Sequence, residues 1–198
     1  MKQVIVIHGG TTFKDYESYI TALRTKNIHP ERMTYAKNWK DTLQADLGDD
    51  YQVLLPSMPN KTNAQYSEWK IWFDRIGEIA TDGCILIGHS LGGVFLAKYL
   101  SENTFPAEID ATILLAAPYD DESIEDLGDF KIDTIADSFR LQSGIVTCIN
   151  GTDDPAIPVT EQASYRAQLP DARYITLSAP DHFVRAAFPE LVEIIKSL

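Results

Sequence analysis

The stretch that decides the fold runs Cys84-Ile85-Leu86-Ile87-Gly88-His89-Ser90-Leu91-Gly92-Gly93-Val94-Phe95-Leu96-Ala97. It opens as a strand-sized apolar run and continues past the glycines as a mostly apolar helix that extends through Tyr99 and Leu100. Between the two lies G-x-S-x-G in a strand, turn, helix setting. Such a turn is so tight that a Cβ two residues to either side of the serine would collide with backbone. The serine is held strained at a helix N-terminus with its hydroxyl exposed. Ser90 is therefore the candidate nucleophile.

Working outward, five more β-branched and apolar runs recur: Gln3 to Ile7, Gln52 to Leu55, Ala111 to Leu115, Ile145 to Ile149 and Arg173 to Leu177. Their apolar residues are continuous rather than alternating, as in strands covered on both faces. The intervening stretches have helical spacing. Tyr16, Tyr19, Ile20 and Leu23 predict a helix after a Thr11-Thr12 cap and before Asn27 and His29-Pro30. The stripe Trp69, Trp72, Phe73, Ile76, Ile79 and Ala80 predicts another, and helical amphipathicity alone accounts for its aromatics without a ligand. Strand and helix alternating in this way means βαβ units: an α/β fold in three layers around a parallel sheet. At 198 residues, with no repeat and no low-complexity linker, the expectation is one domain over residues 1–198.

Composition narrows the partners. Seventeen Lys and Arg stand against 29 Asp and Glu, a formal charge of −12, which repels phosphate backbones and anionic surfaces at long range. Nucleic acid is excluded as an expected partner, and no apolar run approaches the roughly 20 residues needed to span a bilayer. The N-terminus leads from Met1-Lys2-Gln3 straight into a short strand without a signal-peptide pattern, so a cytoplasmic location is expected. Two cysteines, Cys84 and Cys148, sit in apolar runs and are expected to stay reduced.

A serine nucleophile needs a base and an acid that orients the base. The chain has four histidines. His8 ends the first strand, where it supports the loop; His89 is the variable residue of the turn, directed away from Ser90; His29, before Pro30, reads as a surface turn. His182 remains, on a loop after the last strand in Leu177-Ser178-Ala179-Pro180-Asp181-His182-Phe183. Open α/β sheets place their sites at that carboxyl edge. The acid belongs after the fifth strand, in Gly151-Thr152-Asp153-Asp154-Pro155-Ala156-Ile157-Pro158, which leaves Asp153 and Asp154 open. Asp181 is a poorer third, since neighbouring side chains in an extended loop point apart.

Gly88-His89-Ser90-Leu91-Gly92-Gly93, Gly151-x-x-Asp154-x-x-Ile157-Pro158 and Asp181-His182-Phe183 together resemble the α/β-hydrolase superfamily, from Val4 to the C-terminus. The size, the early His8-Gly9-Gly10 and Pro56-Ser57-Met58-Pro59-Asn60 before Glu68-Trp69 are similar to the compact retinoblastoma-binding-protein-9-like and YdeN-like serine hydrolases. The resemblance implies Asp154 as the acid, four residues before Pro158, and an oxyanion hole from the N–H groups of Gly10 and Leu91. There are no residues for the two antiparallel strands that precede the His-Gly strand in larger members. No L-x-C-x-E surrounds either cysteine, so retinoblastoma-type pocket binding is not implied.

The expectation is thus a six-stranded parallel sheet in order 2-1-3-4-5-6 carrying a Ser90, His182, Asp154 triad. It would act as a carboxylesterase-like serine hydrolase on small to medium acyl esters, with no metal or cofactor and with a small-molecule acyl substrate as partner. Thioesterase, aminopeptidase or lyase chemistry uses the same triad. A non-catalytic binding protein that kept the fold is the rival of another class. One segment stands apart: Tyr119 to Asp137 carries eight acids against one base, Lys131. It reads as a solvated acidic stretch, as charge runs commonly are, or as a lid over residues 119–137 whose inner face would be Ile124, Leu127 and Phe130.

Overall fold

A computed structural model describes residues 1–30, 33–119 and 126–198. Six strands, β1 (Lys2–Ile7), β2 (Tyr51–Leu54), β3 (Cys84–His89), β4 (Ile109–Leu115), β5 (Ile145–Gly151) and β6 (Arg173–Leu177), form one sheet in the order β2-β1-β3-β4-β5-β6. Every pairing is parallel. The helices are α1 (Tyr16–Thr25), α2 (Trp39–Leu47), α3 (Tyr66–Gly77), α4 (Leu91–Glu102), α5 (Asp137–Gln142), α6 (Glu161–Gln168) and α7 (Pro189–Lys196).

The period-2 geometry of the strands divides the core. On one face Val4, Val6, Ile85, Ile87, Ile113 and Ile149 pack under α2 and α7. On the other, Ile5, Ile7, Leu86, Leu114 and Cys148 pack under α3 to α6. The second helix of that layer, α4, is buried along almost all of its length, from Leu91 to Ala97 without a break. Cys84 on β3 and Cys148 on β5 are buried free thiols; with β4 between them their strands are about 9.6 Å apart, and they also stand at different heights, Cys84 beside Ile109 and Cys148 beside Leu114 of β4, so they lie well beyond the roughly 7 Å reach of a disulfide.

The sheet sets where a site can form. β1 leads outward to β2, whereas β3 leads the other way to β4, so the connections diverge between these two adjacent strands. Such a divergence is where open α/β sheets form their binding crevice, beyond the carboxyl ends of the two strands. Into it run His8-Gly9-Gly10 after β1 and Ser90 after β3.

Two expectations need correction. The helix at Tyr16 forms, but none of its residues is buried; Tyr16 and Leu23 are 70% and 57% exposed, and its cap is Asp15 rather than Thr11 or Thr12. The helix that covers the sheet here is α2, through Trp39, Leu43 and Leu47 at i, i+4 and i+8, started by a reciprocal capping box between Asn38 and Asp41. With that face covered, α1 is left outside. The Trp69 stripe holds in its centre, where Trp69 and Phe73 are fully buried, but Trp72 and Ile79 at its margin are 44% and 63% exposed.

The second correction concerns residues 119–137. Asp120, Asp121, Glu122, Ile124 and Glu125 lie outside the described residues. Leu127 and Phe130, which the lid alternative alone would turn toward a substrate, are buried in the core. Phe130 meets the rings of Trp69 at 5.1 Å and Tyr66 at 5.8 Å, both edge to face. Lys98 on α4 fastens the same stretch by donating to the carbonyls of Asp129 and Lys131. Leu127, Phe130, Ile132 and Ile135 belong to the same core cluster as α3 and α4, while Asp126, Asp129 and Asp133 are exposed, Asp129 accepting from Tyr66 N–H at the start of α3. Phe130→Ala should therefore cost about 3–5 kcal/mol in urea unfolding, the usual cost of emptying a buried aromatic site. A loss below about 1 kcal/mol would mark the stretch as loosely docked.

Candidate active site

At the end of β3 the chain turns so sharply that a Cβ on Gly88 would lie 2.3 Å from the Gly92 carbonyl oxygen, and one on Gly92 would lie 2.3 Å from that of Ile7. No side chain fits at either position. Ser90, between them, has φ 55° and ψ −124°, a conformation that costs a non-glycine residue on the order of 1–3 kcal/mol and persists only where the surroundings enforce it. Its N–H donates to the Leu115 carbonyl, and its own carbonyl accepts from Gly93.

The loop after β1 passes directly beside the serine. A Cβ on Gly9 would stand 3.1 Å from Ser90 Cβ, and one on Gly10 would stand 3.1 Å from Leu91 Cδ2. His8 braces this loop as the sequence suggested: its Nδ1–H donates to the Gly9 carbonyl at 2.6 Å and its Nε2 accepts from Met58 N–H at 2.9 Å. Among the described residues, neither the Gly10 nor the Leu91 N–H donates to a protein acceptor.

From the loops after β5 and β6 come Asp154 and His182. His182 Nδ1 stands 2.8 and 2.9 Å from the two carboxylate oxygens of Asp154, whose side chain is fully buried. Burial alone would raise this carboxyl. The imidazole N–H and the amides of Ala156 and Ile157, at 2.8 and 3.0 Å, outweigh it and hold Asp154 below the usual carboxylate value. Asp153 points elsewhere, accepting from Ala179 N–H at 2.6 Å and Ser178 hydroxyl at 3.0 Å, and so ties the β5 loop to the loop that carries His182. Asp181 is engaged by Arg185 and by Phe183 N–H. His29 is on the exposed surface.

Sequence reasoning missed three residues here. His89 is buried, its ring 5.1 Å from that of His182. Its Nε2–H donates to the His182 carbonyl at 2.9 Å, while its Nδ1 faces Lys40 Nζ at 3.4 Å. Trp39, fully buried, donates its indole N–H to the Phe183 carbonyl at 2.9 Å. The signal was present in the unused stripe Trp39, Leu43, Leu47, which places the start of α2 against this edge. Among the described residues no group of three or more His, Cys, Asp or Glu side chains could hold a metal ion. Nor is any helix long and apolar enough to cross a membrane.

The model of a family described as serine hydrolase matches residues 32–197. The chain belongs to the serine hydrolase family. Among solved structures this serine hydrolase is similar to the ydeN gene product from B. subtilis, with TM-score 0.77 and 19% identity over 100% of this chain and 98% of that one. It is similar also to the thioesterase domain from the curacin biosynthetic pathway, with TM-score 0.64 and 12% identity over 100% of this chain and 91% of that one. A third is Est1E from Butyrivibrio proteoclasticus, solved with ferulic acid bound, with TM-score 0.60 and 16% identity over 100% and 87%. These superpositions show a shared α/β-hydrolase fold. No curated protein matches the sequence.

The buried histidine makes a stability prediction. Burial, then the charge of Lys40, lowers the His89 pKa well below 6.5. A lowered histidine pKa means that the unfolded chain binds the proton first, so stability falls as pH drops below about 6.5. The lowered Asp154 extends the same trend at more acid pH, where the unfolded carboxyl protonates before the folded one. Urea midpoints should decline from pH 7 to pH 5, and His89→Gln should flatten part of that slope. A wild-type midpoint constant over this range would show that His89 protonates freely in the folded state.

Proposed function

We propose that this serine hydrolase is a carboxylesterase-like enzyme that cleaves small to medium acyl esters through Ser90, His182 and Asp154. The observation that carries the reading is the contact of His182 Nδ1 with the buried Asp154 carboxylate, while the left-handed Ser90 directly follows His89, whose ring lies 5.1 Å from that of His182. A carboxylate can only accept, so Nδ1 carries the imidazole proton and Nε2 is left with the lone pair a general base needs. In this mechanism Ser90 Oγ attacks the acyl carbonyl as Nε2 takes the hydroxyl proton. Asp154 holds the tautomer and balances the imidazolium charge. The N–H groups of Gly10 and Leu91 stabilise the oxyanion, and a small residue at position 10 lets the backbone approach it. His182 returns the proton to the leaving alcohol, giving an acyl-serine. Water then attacks that ester by the same steps in reverse, releasing the acid and regenerating Ser90.

Esters are favoured over amides as substrates because an alcohol leaves more readily than an amine. Est1E, solved with bound ferulic acid, and the curacin thioesterase domain lend support by analogy of fold.

Ser90→Ala should reduce hydrolysis of short p-nitrophenyl esters by roughly 10⁴-fold or more, because the three side chains act as a unit. Activity within tenfold of wild type would refute the nucleophile. Asp154→Asn should lose on the order of 10³–10⁴-fold in kcat through the wrong tautomer, while Asp153→Asn, which faces away from the imidazole, stays within about tenfold. The reverse ranking would move the acid to Asp153.

A further inference from the structure

His182 and its neighbour Phe183 are both left-handed, each with φ 54°. Two such residues in succession turn their carbonyls inward from the loop, and each carbonyl is met by a ring N–H from a buried side chain. His89 Nε2–H takes the His182 carbonyl and Trp39 Nε1–H takes the Phe183 carbonyl, both at 2.9 Å. The Trp39 backbone N–H adds a third bond, to the Arg185 carbonyl at 2.7 Å. The first turn of α2 and the last residue of β3 thus grip residues 182–185 from behind.

His89 has a particular place in this grip, because it is covalently next to Ser90. One side chain joins the backbone of the residue read as base to the strand that carries the residue read as nucleophile. The separation between the two is then fixed by a ring and one hydrogen bond instead of by two independent loops. The ring must be the Nε2–H tautomer, since a carbonyl can only accept. Its Nδ1 lone pair points at the half-buried Lys40 ammonium, 3.4 Å away, which also lies 4.4 Å over the Trp39 ring. An ammonium can only donate, so Lys40 selects the tautomer that the His182 carbonyl requires. A second proton on His89 would confront Lys40 directly, and burial opposes it as well.

We propose that His89, with its tautomer set by Lys40, is a positioning residue that holds His182 in line with Ser90 for catalysis. It touches neither substrate nor the reacting atoms, so its loss should lower kcat and leave KM nearly unchanged. The inference rests on the roles given to Ser90 and His182 under the proposed function.

The test compares His89→Leu, His89→Gln and Lys40→Met in p-nitrophenyl ester hydrolysis, with folding followed by circular dichroism. Leucine fills the space without a donor and should lower kcat by roughly 10²-fold, the scale of a small misplacement of a catalytic group, with KM within about twofold. Glutamine supplies an N–H close to the position of Nε2 and should recover most of that loss, to within about fivefold of wild type. Lys40→Met keeps the apolar stem and removes the donor, and a fall in kcat of about three- to tenfold is expected as the wrong tautomer becomes populated. A folded His89→Leu with wild-type kcat, or a glutamine variant as impaired as the leucine one, would overturn the proposal by reducing His89 to core filling. If His89→Leu fails to fold, Lys40→Met decides, and an unchanged kcat overturns it. Wild-type activity that survives Ser90→Ala would overturn both readings together, whereas Ser90-dependent activity with an indifferent His89 overturns this one alone.

Discussion

The structure depends on how closely the backbone of β1 passes the turn that follows β3. Gly92 lies so near the Ile7 carbonyl that no side chain could stand between them, and Gly88 is equally confined by Gly92. This approach has two consequences. It forces Ser90 into its left-handed conformation with the side chain at the crevice, and it brings Gly9 and Gly10 alongside Ser90 and Leu91. Strand order and local strain therefore act at the same point, because β1 and β3 are the neighbours whose connections diverge.

Around that point the remaining pieces come from far along the chain. β5 delivers Asp154 and β6 delivers His182, each a short step past its strand, so the parallel register of the sheet sets their heights relative to Ser90. The loops are then locked by polar contacts of different kinds. Asp153 links the β5 loop to Ser178 and Ala179. Trp39 and His89 hold the carbonyls behind His182. Adjacent aspartates thus divide two tasks, one bracing the loop and one meeting the imidazole. A site whose residues come from strand ends and are braced from behind requires little rearrangement to reach a reactive geometry.

Much of this was legible in the sequence for physical reasons. Continuous apolar runs announce strands buried on both faces, and Gly88, Ser90 and Gly92 announce the turn, because backbone collision admits no other residue at its two ends. The expected strand order, given with the resemblance to the α/β-hydrolases, is the order found. The failures are as physical. Tyr16, Tyr19, Ile20 and Leu23 have the spacing of a core helix, yet periodicity cannot say which of two consecutive helices reaches the sheet, and α2 took the position. Phe130 and Leu127 sat among acids and so read as part of a solvated stretch or a lid; the aromatic cluster of Tyr66, Trp69 and Phe95 that buries Phe130 is assembled from α3 and α4, which no local window contains. His89 read as an idle residue of the turn because its partners, Lys40 and the His182 carbonyl, are 49 and 93 residues away.

The central claim is that β3, β5 and β6 assemble an activated serine at position 90. The most direct measurement is to treat the folded protein with a fluorophosphonate, in which the serine oxygen displaces fluoride at phosphorus, and to locate the adduct by peptide mass spectrometry. The account predicts one adduct, on Ser90, formed far more slowly when Asp154 is replaced by Asn. An unmodified Ser90 in the folded wild type, or an adduct on another residue, would contradict it.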